Sequence, residues 1–163
     1  MQRFQKLPAR VQSAAGRNLA FRANNQPIPN ATTSSYVIAH VNEKPATTFA
    51  IAMSSEAIGC IGLQIGRDIH CKTAELGYWL GEPFWGRGIM SEAVAELTRC
   101  AFGIFDLERI YAEPFAGNRA SARVLEKAGF VCEGRLRASI FKDGKRLDSF
   151  LYARVRDAAW RPA

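Results

Sequence analysis

A strand, a glycine-containing loop and the start of a helix follow one another in the middle of the chain. The sequence runs from Glu75-Leu-Gly-Tyr-Trp-Leu80 through Gly-Glu-Pro-Phe-Trp-Gly-Arg-Gly88 into a periodic apolar segment that begins at Ile89. Glycines before a helix free backbone N–H groups for an anion, and the helix dipole adds partial positive charge there. Arg87 supplies a full charge between the two glycines. The pattern predicts a phosphate site, although a plain tight turn before a helix explains Gly-x-Gly equally well.

Two familiar phosphate-binding motifs fit this loop poorly. The Walker motif closes with Gly-Lys-Ser/Thr, whereas Gly88 is followed by Ile-Met-Ser. Gly86-Arg-Gly-Ile-Met-Ser91 comes nearer to the dinucleotide fingerprint, with Glu113 as an acidic residue at the end of the following strand. However, three antiparallel runs precede the loop, and too little chain follows it for two mononucleotide-binding halves. These features argue against a dinucleotide-binding fold.

The cysteines and histidines do not suggest a metal site. The chain has no Cys-x-x-Cys, and its thiols and imidazoles are few and far apart: Cys60, Cys71, Cys100, Cys132, His40 and His70. We expect reduced, buried thiols of a cytosolic protein, with Cys100 and Cys132 in the core. No metal cofactor is expected.

Hydrophobic periodicity predicts the elements that position the loop. β-Branched and apolar runs indicate strands over Thr47–Met53, Ala57–Ile65, Thr73–Leu80 and Arg109–Glu113. Apolar residues at helical spacing from Met90 to Ile104 indicate a helix between the last two of these strands. This order implies one β-α-β crossover in an α/β domain that is otherwise mostly antiparallel.

A second helix and a hairpin are predicted after the crossover. Asn118 can cap the helix, and Gly129 can end it in the left-handed conformation. Phe130–Phe141 and Arg146–Val155 then flank an Asp-Gly turn, which predicts a hairpin.

The start of the chain gives weaker signals. Gln5–Phe21 has slight helical periodicity, and a loop with two prolines follows it. Thr32–Ser35 can cap a short helix through His40 or Val41, although Tyr36–Ile38 would equally suit a strand.

Length and composition indicate one soluble domain with a basic surface. The 163 residues are 48% hydrophobic and 23% charged, which excludes disordered, collagen-like and coiled-coil chains. No apolar run approaches the roughly 18 residues of a membrane span, and no secretory signal is seen, so a cytoplasmic location is expected. The net charge of +7 suggests an anionic partner, which could be a nucleic acid, a membrane surface or a phosphate-rich cofactor. Simple solubility is the alternative explanation of this charge.

Three linked blocks resemble the GNAT superfamily of N-acetyltransferases, in its RimJ/RimL-like branch that acetylates N-terminal residues of ribosomal proteins. The blocks are Trp85-Gly-Arg-Gly-Ile-Met-Ser-Glu-Ala93, Arg109-Ile-Tyr-Ala and Asn118-Arg-Ala-Ser-Ala-Arg-Val-Leu-Glu-Lys-Ala-Gly-Phe130. The resemblance covers about residues 50–156 and implies a GNAT-like, mostly antiparallel twisted sheet with a splayed central strand pair flanked by helices. It also implies a single domain over residues 1–163, with a variable acceptor-side segment at 1–46 and an acetyl-CoA-binding core at 47–156.

The resemblance implies acetyl-CoA as co-substrate and assigns residues to it. Trp79 and Leu80 would offer backbone groups to the pantetheine arm, and Asn118 would contact that arm. The loop would hold the pyrophosphate, with Lys127 as a further phosphate contact. The loop residues are Trp85, Gly86, Arg87, Gly88, Ile89, Met90 and Ser91.

The implied reaction is direct acetyl transfer to a primary amine, either a protein N-terminus or a small molecule, in a ternary complex. Such an amine is largely protonated at neutral pH, so a base must take a proton from it. Glu75 and Glu113 are the two candidate bases, and Ser121, near the thioester sulfur, would protonate the departing thiolate. Each of the three could instead be an ordinary surface residue.

The short segment before Thr47 departs from the family pattern. The first strand of the family is expected to be absent there, which would leave a sheet edge open and invite a homodimer. A non-catalytic acyl-CoA-binding or regulatory module is therefore the alternative function. A nucleic-acid-binding protein is disfavoured, because no basic stripe interleaved with aromatic residues is present. No nucleic-acid or membrane partner is expected.

Overall fold

The computed structural model describes residues 36–40, 47–53 and 56–157. The predicted helix Gln5–Phe21 lies outside this part of the chain. Short 3₁₀ turns lie at Asp68–His70 and Glu82–Phe84. The strands and α-helices are β1 (Tyr36–His40), β2 (Thr48–Met53), β3 (Glu56–Ile65), β4 (Thr73–Leu80), α1 (Ile89–Ile104), β5 (Arg109–Ala112), α2 (Arg119–Lys127), β6 (Val131–Lys142) and β7 (Lys145–Val155).

The described residues fall into two compact units. The first holds residues 36–40, 47–53, 56–64 and 77–93, and its strands lie in the order β1-β2-β3-β4. The second holds residues 65–76 and 94–157, and its strands lie in the order β4-β5-β7-β6. β4 and α1 each contribute residues to both units, so the boundary between the units falls within these two elements.

The first unit is built on antiparallel pairing. β2 pairs with β3 from Thr48–Gly62 to Met53–Glu56, with a bulge between Ile51 and Ala52. The N–H of Gly81 donates to the carbonyl of Ile58 at 2.8 Å, which joins the end of β4 to β3. The largest buried side chains of the unit are β-branched or aromatic, as strand propensity favours: Phe49, Ile51 and Ile61.

The edge beside β2 corrects one expectation. The sequence predicts a missing first strand and an open edge, but β1 pairs antiparallel with β2 over five residues, from Tyr36–Met53 to His40–Phe49. The alternative helix through His40 is therefore wrong. Strand-favouring residues at Tyr36–Ile38 and the free hydrogen-bonding edge of β2 outweigh the helix-capping signal upstream.

The second unit contains the predicted crossover. β4 and β5 run parallel and pair at Thr73–Arg109, Ala74–Ile110 and Glu75–Tyr111. β4 then continues five residues beyond this ladder, to Leu80, in agreement with strands that splay apart. β5 pairs antiparallel with β7, and β7 with β6, so the predicted final hairpin is also confirmed.

The ends of α2 form as the sequence predicts. The Asn118 side chain accepts a hydrogen bond from the N–H of Ser121 at 3.0 Å. Gly129 has a φ of +81°, and the N–H of Phe130 donates to the carbonyl of Leu125 at 3.0 Å. This last contact and the Gly129 N–H bond to the Glu126 carbonyl make a Schellman motif, which satisfies the terminal carbonyls of the helix.

The cysteines depart from the predicted core positions. Cys60 is buried and Cys100 is half-buried, whereas Cys71 and Cys132 are exposed. Cys132 lies on β6, an edge strand whose residues at this end face solvent, so its prediction as a core residue is wrong. Burial raises the pKa of Cys60 to about 11. Burial and the Glu96 carboxylate raise the pKa of Cys100 to about 12, so both thiols are protonated at neutral pH.

Replacing Gly129 by alanine should lower the free energy of unfolding by about 1 kcal/mol, because a Cβ disfavours the left-handed conformation. The nearest atoms to that Cβ would be those of Arg154 at 3.6 Å, so no clash adds to this cost. Urea denaturation measures the change. Gly134→Ala is the control: its φ is not left-handed, no heavy atom lies within 4 Å of the added Cβ, and the free energy should change by less than about 0.5 kcal/mol. Equal stability of both variants and the parent would contradict the helix-end argument.

Candidate active site

The glycine loop of the first unit is open where an anion would sit. Gly86 and Gly88 have φ values of +76° and +82°, in the left-handed region that favours glycine. A Cβ built on either residue would meet no heavy atom within 4 Å. The conformation therefore depends on glycine, and the space above the backbone is free for a ligand.

The start of α1 presents unpaired backbone donors. Its first hydrogen bond runs from the N–H of Glu92 to the carbonyl of Gly88, at 3.1 Å. The N–H groups of the preceding turn, at residues 89–91, therefore have no helical acceptor. The side chains of Ile89 and Met90 are 6% and 5% exposed, so they pack into the core and leave only their backbone N–H groups for a ligand.

Aromatic side chains brace the loop. The indole N–H of Trp85 donates to the carbonyl of Leu80 at 2.8 Å, which ties the loop to the end of β4. The Arg87 guanidinium is exposed and lies 5.7 Å from the centre of the Phe84 ring. The indole N–H of Trp79 is buried and has no hydrogen-bond partner among the described residues. The predicted loop residues therefore all lie in the first unit, where side-chain contacts join the loop to the end of β4.

Both predicted glutamates lie in the second unit, beside a tyrosine. Glu75 is exposed and pairs directly with Tyr111 across the β4–β5 ladder. Glu113 follows two residues after Tyr111, so the alternation of an extended chain directs it to the same side. Partial burial, and then the charge of Glu75, raise the pKa of Glu113. The Glu75 carboxylate is therefore close enough to affect the ionisation of Glu113.

Tyr111 is a site residue that the sequence reasoning does not single out. It is half-buried, and its position opposite Glu75 becomes visible only when the strand register is known. Its sequence signal is its place in the Arg109-Ile-Tyr-Ala block, two residues before Glu113.

The helix that follows carries the other predicted residues of this unit. Asn118 caps α2, and Ser121 is 8% exposed, so it is buried and not a solvated first-turn serine. Lys127 is exposed in the last turn of α2, where a cation also complements the helix dipole.

Backbone hydrogen bonds fix the segment between Glu113 and Asn118 to β7. The N–H of Ala116 donates to the carbonyl of Asp148 at 2.9 Å, and the N–H of Phe150 donates to the carbonyl of Pro114 at 3.0 Å. Because this segment is short and makes two backbone hydrogen bonds to β7, it fixes the position of Glu113 relative to Asn118.

The described residues contain neither a metal-binding cluster nor a membrane-spanning helix. Within residues 36–40, 47–53 and 56–157, no group of three or more His, Cys, Asp or Glu side chains could hold a metal ion. No helix in the same part of the chain is long and apolar enough to span a membrane.

Known proteins resemble this chain in both sequence and fold. The ribosomal-protein-serine acetyltransferase of Escherichia coli is 34% identical over 113 residues, which are 69% of this chain and 63% of that protein. RimL, a ribosomal α-N-protein acetyltransferase solved with coenzyme A, is 31% identical with a TM-score of 0.63, over 68% of this chain and 62% of RimL. The microcin self-immunity acetyltransferase MccE, solved with acetyl-CoA and AMP, is 27% identical with a TM-score of 0.62, over 67% of this chain and 60% of MccE.

The chain thus spans less than two thirds of the length of these relatives. The family model described as "Acetyltransferase (GNAT) domain" matches residues 8–131, which is more than half of the chain and includes the loop, both glutamates and α2. The chain therefore belongs to the GNAT acetyltransferase family.

Proposed function

We propose that this protein is an acetyl-CoA-dependent N-acetyltransferase that acts on a primary amine by direct attack in a ternary complex. The observation that carries the proposal is the start of α1. There, two left-handed glycines under open space precede backbone N–H groups without helical acceptors. Donors arranged in this way suit a pyrophosphate. Family membership, and relatives solved with coenzyme A or acetyl-CoA, support the same ligand.

Both units carry residues that the family resemblance assigns to acetyl-CoA. In the first unit, the N–H groups of residues 89–91 and the Arg87 guanidinium would hold the pyrophosphate. Backbone groups of Trp79 and Leu80 would bind the pantetheine arm, and the unpartnered indole N–H of Trp79 is consistent with a ligand acceptor nearby, since an unpaired buried donor is costly. In the second unit, Asn118 and Lys127 would add contacts.

Glu113 is the better candidate for the general base. A base works best when its pKa lies near the reaction pH, and burial and Glu75 both shift the pKa of Glu113 upward. In the proposed reaction the amine nitrogen bonds to the thioester carbonyl carbon and gives up a proton to the base, and the carbon–sulfur bond breaks. The thiolate takes the hydroxyl proton of Ser121, and the proton taken up by the base returns through water to the serine oxygen, so both residues are regenerated. The burial of Ser121 suits a group that acts away from bulk water.

The placement of two carboxylates, Glu75 and Glu113, on the same side of the sheet favours catalysis over the alternative, a non-catalytic acyl-CoA-binding module, because binding alone requires no base. The names of the relatives favour a protein N-terminus as acceptor, with small-molecule amines as the second class. A single domain over residues 1–163, an acceptor-side segment at 1–46, a cytoplasmic location and a homodimer stay predictions.

The direct test is a mixture of protein, acetyl-CoA and a panel of amines that includes peptides with free N-termini, polyamines and aminoglycosides. We expect release of CoA, and an acetylated product by mass spectrometry, with at least one acceptor. Binding of acetyl-CoA without turnover on the whole panel would favour the binding module. No binding of acetyl-CoA in calorimetry would exclude both functions.

Replacing Gly88 by alanine should weaken acetyl-CoA binding by about tenfold or more, because the added Cβ strains a left-handed residue and occupies the open space. Calorimetry measures the dissociation constant. Gly144→Ala is a matched control, because Gly144 also has a left-handed φ, of +73°, with no atom near its Cβ, but lies in the β6–β7 turn. If both variants bind acetyl-CoA like the parent, the assignment of the loop to the cofactor is wrong.

The two glutamates can be separated by the pH dependence of kcat/KM. If Glu113 is the base, activity falls as the pH drops through its raised pKa, and Glu113→Gln removes most of the rate. Glu75→Gln removes the negative charge that helps to raise the pKa of Glu113, so the low-pH limb of the kcat/KM profile should move to lower pH while turnover is kept. Glu75→Asp retains the charge and should leave the limb in place. Loss of turnover in Glu75→Gln alone would instead make Glu75 the base.

A further inference from the structure

The position of Tyr111 sets it apart from Tyr152, the other tyrosine of the second unit. It pairs with Glu75 at the last step of the β4–β5 ladder, and Glu113 follows it on the same side. One carboxylate, that of Glu75, thus lies across from the phenol on the neighbouring strand β4, and the other, that of Glu113, follows just after the end of the phenol's own strand. Tyr152, on β7, pairs with Ala112, the residue after Tyr111, and therefore lies on the opposite face of the sheet.

The Tyr111 hydroxyl is not engaged within the described part of the chain. No side-chain hydrogen bond joins it to Glu75, Glu113 or another described residue, whereas the Tyr152 hydroxyl donates to the Glu126 carboxylate at 2.9 Å. A half-buried phenol normally finds a partner, because an unpaired polar group loses hydrogen bonds to water. The structure thus offers a hydroxyl beside both candidate bases for a group from outside the chain.

The phenol stays protonated at the pH of the proposed reaction. Burial raises the pKa of Tyr111, and the charges of Glu75 and Glu113 raise it further. The neutral oxygen can accept a hydrogen bond from an amine and also donate its own hydrogen. The phenol oxygen can therefore accept an N–H of the amine both before and after a neighbouring glutamate takes the amine's proton.

We propose that Tyr111 is a catalytic residue that binds the acceptor amine, accepting one of its N–H groups while a neighbouring glutamate takes the proton. This inference rests on the proposed N-acetyltransferase function. The amine then keeps one N–H on the phenol, and this contact directs its lone pair. An N-methylated amine has one N–H fewer, so its methyl group would compete for the position at the phenol and leave the Tyr111 oxygen unpaired.

The test compares Tyr111→Phe with Tyr152→Phe on the best acceptor of the panel and on its N-methylated derivative. We expect Tyr111→Phe to lower kcat/KM for the primary amine by about tenfold to a hundredfold, as for loss of a hydrogen bond to a charged or reacting group. The dissociation constant of acetyl-CoA and the acid limb of the pH profile should stay unchanged. The preference for the primary amine should shrink in Tyr111→Phe and persist in Tyr152→Phe.

Several results would overturn the proposal while leaving the proposed function intact. One is a parent enzyme that acetylates the amine and a Tyr111→Phe variant whose kcat/KM lies within twofold of the parent value. Another is a loss confined to acetyl-CoA binding, or an unchanged preference for the primary amine. Thermal melting of both variants separates a folding defect from these outcomes, and Tyr111→Trp, which keeps a ring with a donor but no acceptor oxygen, should share the defect of Tyr111→Phe. If the parent acetylates no amine, the proposed function itself fails.

Discussion

β4 and β5 are joined by a parallel ladder of three residue pairs. The position of the candidate catalytic side chains in the second unit depends on where that ladder ends. Its last pair is Glu75–Tyr111, so a carboxylate and a phenol meet at the final step of regular pairing. Beyond it, Glu113 is free of the ladder, and the following segment is held instead by β7. Parallel strands require a crossover, and α1 supplies it. The same short ladder therefore requires the crossover helix and sets the position of the acidic side chains.

Several arginines of the second unit have structural partners, which changes the meaning of the net charge. Arg154 donates to the carbonyl of Ala128 at the end of α2, and Arg156 donates to the carbonyls of Phe102 and Phe105 at the end of α1. Arg135 pairs with Asp148. Cations at these helix ends satisfy terminal carbonyls and oppose the negative end of the dipole. Part of the arginine content therefore stabilises the fold, although Arg154 and Arg156 keep their charge because their acceptors are neutral.

The sequence predicts most of the second unit because its signals are local. Asn118 caps a helix and Gly129 ends one through interactions between near neighbours, and Asp-Gly sets the β6–β7 turn. The glycine-containing loop before α1 is predictable for the same reason, since two glycines and a helix start are adjacent in the chain.

What the sequence does not predict depends on pairing between distant residues. β1 forms because β2 offers a hydrogen-bonding edge, which outweighs the upstream capping signal. The exposure of Cys132 follows from the place of β6 at the edge of the sheet, although an apolar pattern favours the core. Tyr111 gains its significance only from its register with Glu75. In each case strand order supplies information that periodicity along the chain lacks.

The cap of α2 limits how Asn118 can recognise a ligand. Its side-chain oxygen accepts the N–H of Ser121, and this bond fixes which way the carboxamide is turned. The oxygen keeps a second lone pair and the NH₂ group keeps its hydrogens, so the side chain can still accept one hydrogen bond and donate others. The residue that caps the helix therefore presents both a donor and an acceptor in a fixed orientation, which matches the two polar atoms of an amide group.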